Sequence, residues 1–170
     1  MSYDELKTKR FKLKELLSEH ATDTYLSWLH SVKNQRYIIT ASQTKNLEDL
    51  KKYVGTKYRQ KDCILFGIFD IQGNHIGNIK YEPIDVEERY AVMGILIGDE
   101  SWRGQGVGPE VIKESSQYLK NKLKINTIVL GVEPSNEPAI KAYRKIGFEV
   151  SNFREFKNSE NAIFMTYIIP

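Results

Sequence analysis

Between Tyr90 and Gly147 two apolar runs alternate with two amphipathic ones, and the first apolar run reaches the first amphipathic run through a glycine-rich turn. Tyr90 to Ile97 is almost wholly apolar and reads as a strand buried on both faces. Val107, Val111, Ser115, Tyr118 and Lys122 then recur at helical spacing. Thr127 to Val132 is a second buried strand, and Asn136 to Ile146 a second helix. A βαβα succession implies parallel pairing of its two strands, with the helix crossing over between them. The chain is therefore a mixed α/β protein. Its glycine-rich turn lies where a strand feeds a helix, which is where such folds bind phosphate-bearing ligands.

The preceding half reads differently. Lys9 to Leu13 is a short strand, and Ser18 is a candidate cap for a helix in which Ala21, Tyr25, Trp28 and Val32 share a face. Asn46 is the N-cap of another helix, carrying Leu47, Leu50, Tyr53 and Val54 and ending near Gly55 to Tyr58. Ile64 to Ile71 and His75 to Tyr81 flank the turn residues Gln72-Gly73-Asn74 and form a hairpin. Pro83 is expected to end the second of these strands, before a charged loop of Asp85, Glu87, Glu88 and Arg89. Ala162 to Ile169 is a final strand. No repeat, linker or low-complexity stretch divides the chain, so residues 1–170 read as one domain, long enough for one buried core.

Composition removes several classes of function. A lone Cys63 excludes a disulfide scaffold and reads as core packing. The longest apolar runs, Ala91 to Ile97 and Ile163 to Ile169, fall far short of the roughly 20 residues that span a bilayer, so no membrane partner is expected. The charged N-terminus lacks a secretory pattern, and a cytoplasmic protein is the expectation. Twenty-five Lys and Arg against 22 Asp and Glu leave +3, too little for a nucleic-acid footprint. His20, His30 and His75 have no mutual spacing that suggests a triad or a metal site, and no metal is expected.

Chemistry concentrates in Ser101-Trp102-Arg103-Gly104-Gln105-Gly106-Val107-Gly108. A helix start leaves backbone N–H groups unpaired and carries partial positive charge, so a pyrophosphate is a natural occupant. Glycine lets the backbone close on it, and Arg103 adds a full charge. The spacing fits neither an NTPase phosphate loop, which needs Gly-x4-Gly-Lys-Ser/Thr, nor a dinucleotide fingerprint, since the three glycines stand at alternate positions.

Arg103, Gly106 and Gly108 do satisfy Arg/Gln-x-x-Gly-x-Gly/Ala, and Asn136, Ala139, Tyr143, Gly147 and Phe148 satisfy Asn-x-x-Ala-x-x-x-Tyr-x-x-x-Gly-Phe. In these two motifs, in this order, the sequence resembles the GNAT acyl-CoA N-acyltransferases. Tyr25-Leu-Ser-Trp28-Leu29 and the Trp before the loop look like the branch of ribosomal-protein N-terminal and sugar-amine acetyltransferases. The resemblance implies a central mixed sheet of six to seven strands flanked by about four helices. It implies acetyl-CoA as cosubstrate, with the backbone at Leu96 and Ile97 pairing with the pantetheine amides. Gly104, Gln105, Gly106, Val107 and Gly108 would hold the pyrophosphate with Arg103. Asn136 would lie near the pantetheine arm and Tyr143 near the thioester sulfur. Asn136 also reads as a helix N-cap, and Tyr143 shares an apolar face with Ala139, Ile140 and Ile146.

The implied reaction is direct attack of a primary amine on a thioester, needing a proton acceptor for the amine and a donor for the departing thiolate. Tyr143 is the expected donor. Where many relatives carry a Glu this chain has Gly131, so the base is sought among Glu82, Glu133 and Asp99, with Glu82 preferred. Tyr25, Trp28, Arg36, Tyr37, Tyr53 and Tyr58 are candidates for facing an acceptor, either a protein N-terminus or a small molecule such as an amino sugar. A monomer or homodimer is expected. The alternative reading is a non-catalytic acyl-CoA-binding module.

Overall fold

A computed structural model describes residues 3–31, 43–153 and 161–170. Among these residues eight strands form one sheet: β1 (Leu6–Lys7), β2 (Phe11–Glu15), β3 (Ile64–Asp70), β4 (His75–Asp85), β5 (Tyr90–Ile97), β6 (Thr127–Val132), β7 (Glu149–Ser151) and β8 (Ile163–Ile168). Their spatial order is β1-β2-β3-β4-β5-β6-β8-β7. Among the described residues only β5 and β6 pair in parallel; the other pairings of these strands are antiparallel. Four α-helices lie among the described residues: α1 (Asp23–His30), α2 (Leu47–Arg59), α3 (Val107–Leu123) and α4 (Glu137–Ile146). The fold is the mixed α/β arrangement expected. The two additional strands, β1 and β7, of two and three residues, are too short to carry an alternating pattern.

Local chemistry explains most boundaries. Asn46 Oδ1 accepts from the Asp49 N–H at 2.9 Å and starts α2, as expected of a cap. Thr22, not Ser18, caps α1, its hydroxyl accepting from the Tyr25 N–H at 3.2 Å; Ser18 instead opens a single 3₁₀ turn, Ser18–His20. Val32 lies outside the described residues. In the β3–β4 turn, Asp70 Oδ1 accepts from the N–H groups of Gln72 and Asn74 at 2.9 Å each, and Gly73 takes φ +87°. Pro83 does not end β4, which runs on to Asp85. The register with β5 shifts between Tyr81 and Ile84, and this irregularity accommodates a residue with no N–H to give the ladder.

The sheet has a core on each face. On one, Ile79 and Tyr81 of β4, Ala91 and Met93 of β5 and Ile128 of β6 pack with Val107, Val111, Ile112 and Leu119 of α3 and Ile140 of α4. Tyr81 also donates to Ser115 Oγ at 2.8 Å, since the Ser115 hydroxyl gives its own proton to the Val111 carbonyl. On the other face Leu16, Leu65 and Phe69 meet Tyr25, Trp28 and Leu29 of α1 and Leu50 and Val54 of α2. Among the described residues no helix is long and apolar enough to cross a membrane.

Candidate active site

The parallel pair is a fork. β5 and β6 are in register only at Tyr90–Thr127, Ala91–Ile128 and Val92–Val129. Beyond Val92, β5 continues against β4 alone, from Met93 opposite Tyr81 to Ile97 opposite Gly77. β6 continues against β8 alone, from Leu130 to Val132. Side chains alternate along a strand, so Gly94 and Gly131, each two residues beyond the last pair, face the same side as Val92 and Val129. Both are exposed, although β5 is a central strand. A Cβ at Gly94 would meet nothing within 4 Å. The expectation that β5 is buried on both faces therefore holds only for its first half. One edge of Met93–Ile97 faces the fork without a strand partner, and a ligand with extended amides suits it in the way an added strand would.

At the far end of β5 the chain turns into the glycine-rich loop. Asp99 Oδ1 accepts from the Ser101 N–H at 2.9 Å and from the Ser101 hydroxyl at 2.7 Å, tying down the turn Glu100–Trp102. Gly98 lies so close to Trp28 that a Cβ would stand 1.9 Å from the indole, which assigns Trp28 to packing under the strand end. Gly104 and Gly106 adopt φ of +71° and +73°, conformations glycine takes without strain. Gly106 is the N-cap of α3 and has no side chain to satisfy the first N–H groups, so the helix start suits an anion. Arg103 donates from Nε to the Ile97 carbonyl at 3.1 Å and lies 3.2 Å from Glu100 Oε1, bridging strand end and loop.

Sequence reasoning missed Arg10. Glu110, in the first turn of α3, accepts from Arg10 Nε at 2.8 Å, from the Arg10 N–H at 2.8 Å and from the Thr8 hydroxyl at 2.7 Å. This clamp brings Arg10 Nη2 within 3.6 Å of where a Cβ on Gly106 would lie. Nothing near Arg10 in sequence signals the contact, because its partners come from the other half of the chain.

α4 carries the second motif. Asn136 Oδ1 accepts from the Ala139 N–H at 3.4 Å, so the residue is a helix N-cap. Tyr143 packs beside Phe148, ring centroids 5.6 Å apart, at the border of the core. Burial pushes its phenol up to about 12, which keeps the hydroxyl protonated at neutral pH.

The three candidate bases differ in their surroundings. Asp99 is engaged by Ser101, and Glu133 is exposed at the end of β6 with the Ser135 hydroxyl 3.3 Å away. Glu82 receives the Lys57 ammonium, the Lys80 ammonium at 2.9 Å and the Gln60 amide at 2.6 Å. Burial works to raise its carboxyl, but the bonds from Lys57, Lys80 and Gln60 outweigh that and hold it at about 2. Such a carboxylate is ionised at every working pH and is a weak proton acceptor. Cys63 is buried, and desolvation pushes its thiol up to about 12, in keeping with packing rather than nucleophilic use.

On the α1 and α2 face, Tyr25 and Trp28 are buried and meet the His75 ring edge-on at 5.5 and 5.0 Å. Tyr53 accepts from the Lys80 ammonium at 3.3 Å, and Tyr58 is exposed. Arg36 and Tyr37 lie outside the described residues. Asn78 was also missed by sequence reasoning. It is 5% exposed, its Oδ1 accepts from His75 Nε2–H at 2.7 Å, and its Nδ2 has no partner. Among the described residues no group of His, Cys, Asp and Glu is arranged to hold a metal ion.

Comparison with known proteins agrees with this geometry. The Escherichia coli L-amino acid N-acetyltransferase AaaT is 35% identical over 85 residues, 47% of this chain and about half of that protein's own length. The Bacillus subtilis spermine/spermidine N(1)-acetyltransferase is 25% identical over 142 residues, covering 78% of this chain and 84% of that one. Among solved structures, RimL, a ribosomal L7/L12 alpha-N-protein acetyltransferase in complex with coenzyme A, superposes with a TM-score of 0.83 over 98% of both chains at 16% identity, a likeness of fold. Residues 10–149, which contain the fork, the glycine loop and α4, match the acetyltransferase (GNAT) domain, and the chain belongs to that family.

Proposed function

We propose that residues 1–170 act as one domain that transfers an acetyl group from acetyl-CoA to a primary amine. The observation that carries this reading is the continuity of the open edge of β5, from the fork at Gly94 to the uncapped start of α3 at Gly106. An extended ligand with amides along its middle and phosphates at one end fits that track. The backbone at Leu96 and Ile97 would meet the pantetheine amides. The N–H groups from Gly104 through Gln105, Gly106 and Val107 to Gly108 would meet the pyrophosphate, with Arg103 and Arg10 supplying positive charge at the rim. Asn136 keeps its amide nitrogen for the pantetheine arm.

Acetyl-CoA supplies an electrophilic carbonyl carbon and a thiolate leaving group. As the amine nitrogen bonds to that carbon the C–S bond breaks, and Tyr143, protonated at neutral pH, donates to the sulfur. The amine must arrive neutral. Lys57 and Lys80 against Glu82 leave one excess half-buried positive charge on the acceptor side, and a neighbouring cation lowers an amine's pKa. Proton loss to water, favoured by this charge, suits the site better than transfer to Glu82, whose role is then to anchor the two lysines.

The other reading is an acyl-CoA-binding module without turnover, favoured by Gly131, which offers no carboxylate at the fork. Consumption of acetyl-CoA across a panel of primary amines separates them: transfer to any amine supports the enzyme, and tight CoA binding with no transfer supports the module. A monomer or homodimer is proposed.

A further inference from the structure

The chain just before β2 reaches the glycine loop through one residue. Glu110, in the first turn of α3, commits both carboxylate oxygens there: Oε1 accepts from the Thr8 hydroxyl at 2.7 Å and the Arg10 N–H at 2.8 Å, and Oε2 accepts from Arg10 Nε at 2.8 Å. A guanidinium carries five N–H donors, and this contact takes only the one on Nε. Nη1 and Nη2 make no hydrogen bond among the described residues. The group is held from two further sides. Its central carbon stands 4.9 Å from the centre of the Phe11 ring, and that ring meets Trp102, just before Arg103 and Gly104, edge-on at 5.2 Å. Nη2 lies 3.6 Å from the point where a Cβ on Gly106 would stand. Gly104, Gln105 and Gly106 are exposed, and the Arg10 side chain keeps 37% of its surface accessible. The Nη edge and the uncapped start of α3 therefore open on one space, where a single anion can take donors from both.

From this juxtaposition we propose that Arg10 binds the pyrophosphate of acetyl-CoA through its Nη groups, and that Glu110 is the positioning residue that turns them toward Gly106. The planar fork serves both anions at once, Glu110 at Nε and phosphate at Nη, which a lysine ammonium cannot do with fixed geometry. The N-terminal part of the chain thereby becomes a wall of the cosubstrate site. The proposal rests on the acetyl-CoA reading and deepens it by assigning these atoms to one phosphate group.

The test measures calorimetric affinity for CoA and 3′-dephospho-CoA, and kcat/KM for acetyl-CoA and S-acetylpantetheine, which has no phosphate. Arg10→Met should weaken CoA and 3′-dephospho-CoA alike, by roughly 10- to 100-fold, the range of one hydrogen bond to a charged group. Arg10→Lys should recover part of the loss. The preference for acetyl-CoA over S-acetylpantetheine should shrink by the same factor, whereas a merely structural role would lower both and leave their ratio. Glu110→Gln loosens the hold on Nε and should move affinity and ratio in the same direction by less. Melting temperature reports the fold of each variant, and if Arg10→Met melts below the assay temperature, Arg10→Lys and Glu110→Gln decide. Unchanged CoA affinity, an unchanged preference ratio, or a loss confined to CoA over its 3′-dephospho form would overturn the proposal while leaving the acetyl-CoA reading standing. A parent protein that binds no CoA would overturn both.

Discussion

The two halves of β5 have nearly the same composition and opposite uses. Tyr90 and Ala91 pair on both sides, with β4 and with β6, Val92 pairs with β6 opposite the irregularity in β4, and Ala91 is wholly buried. Met93 to Ile97 pair on one side only, Gly94 is exposed, and Ile95, Leu96 and Ile97 are half-buried. Apolar side chains cost little to leave at a cleft, whereas an unpaired strand edge offers backbone groups to whatever arrives. The first half is therefore committed to stability and the second is open to a ligand. A substitution in one should be felt where a substitution in the other is not.

The largest effect is expected beyond the open half, in the loop it feeds. Gly106→Val places a β-branched side chain at φ +73°, toward Arg10 and at the helix start. CoA binding should become undetectable by calorimetry while the melting transition persists. Unchanged affinity would detach the loop from the phosphate assignment.

Next is Tyr143→Phe, which keeps the ring against Phe148 and removes only the hydroxyl. Turnover should fall by roughly 10² to 10⁴, as for loss of one general acid, with little change in acetyl-CoA affinity. Activity within about threefold of the parent in steady-state kinetics would return Tyr143 to core packing.

In the paired half, Ile128 is fully buried opposite Ala91. Ile128→Ala should cost about 2–5 kcal/mol in denaturant unfolding, while the folded fraction binds CoA as the parent does. A loss of CoA affinity exceeding the loss of folded protein would show that the two halves are not separable.

The smallest effect concerns pH. The carboxyl of Glu82 is held at about 2 in the folded protein, below its unfolded value near 4.3. Its ion pairs therefore contribute stability that is complete above roughly pH 4.5 and is lost as pH falls toward 2. After allowance for solvent screening the contribution is about 1–2 kcal/mol. Glu82→Gln should flatten the fall of melting temperature across that window. If the acidic limb of kcat/KM near neutral pH disappeared in the same variant, Glu82 would be restored as the proton acceptor.

Sequence determined what local patterning can determine. The apolar run of β5, the 3.6-residue stripe of α3, the cap at Asn46 and the glycine-rich junction before α3 are each written within a few neighbouring residues, because side-chain direction repeats with local backbone geometry. Those patterns, with the motifs from Arg103 to Gly108 and from Asn136 to Phe148, were enough to reach the family. Tertiary structure decided the rest. Where β5 and β6 part company depends on which strands compete for their edges, so the run Tyr90 to Ile97 shows no break at Val92. Arg10 reaches Gly106 only because Glu110 holds it from another element, and Glu82 looks like any strand-end carboxylate until Lys57 and Lys80 converge on it. Asn78 is a polar letter in an alternating strand, and only packing shows that its amide nitrogen is buried without a partner. Pairing, desolvation and charge act through space between residues distant in the chain, and no local window contains both partners.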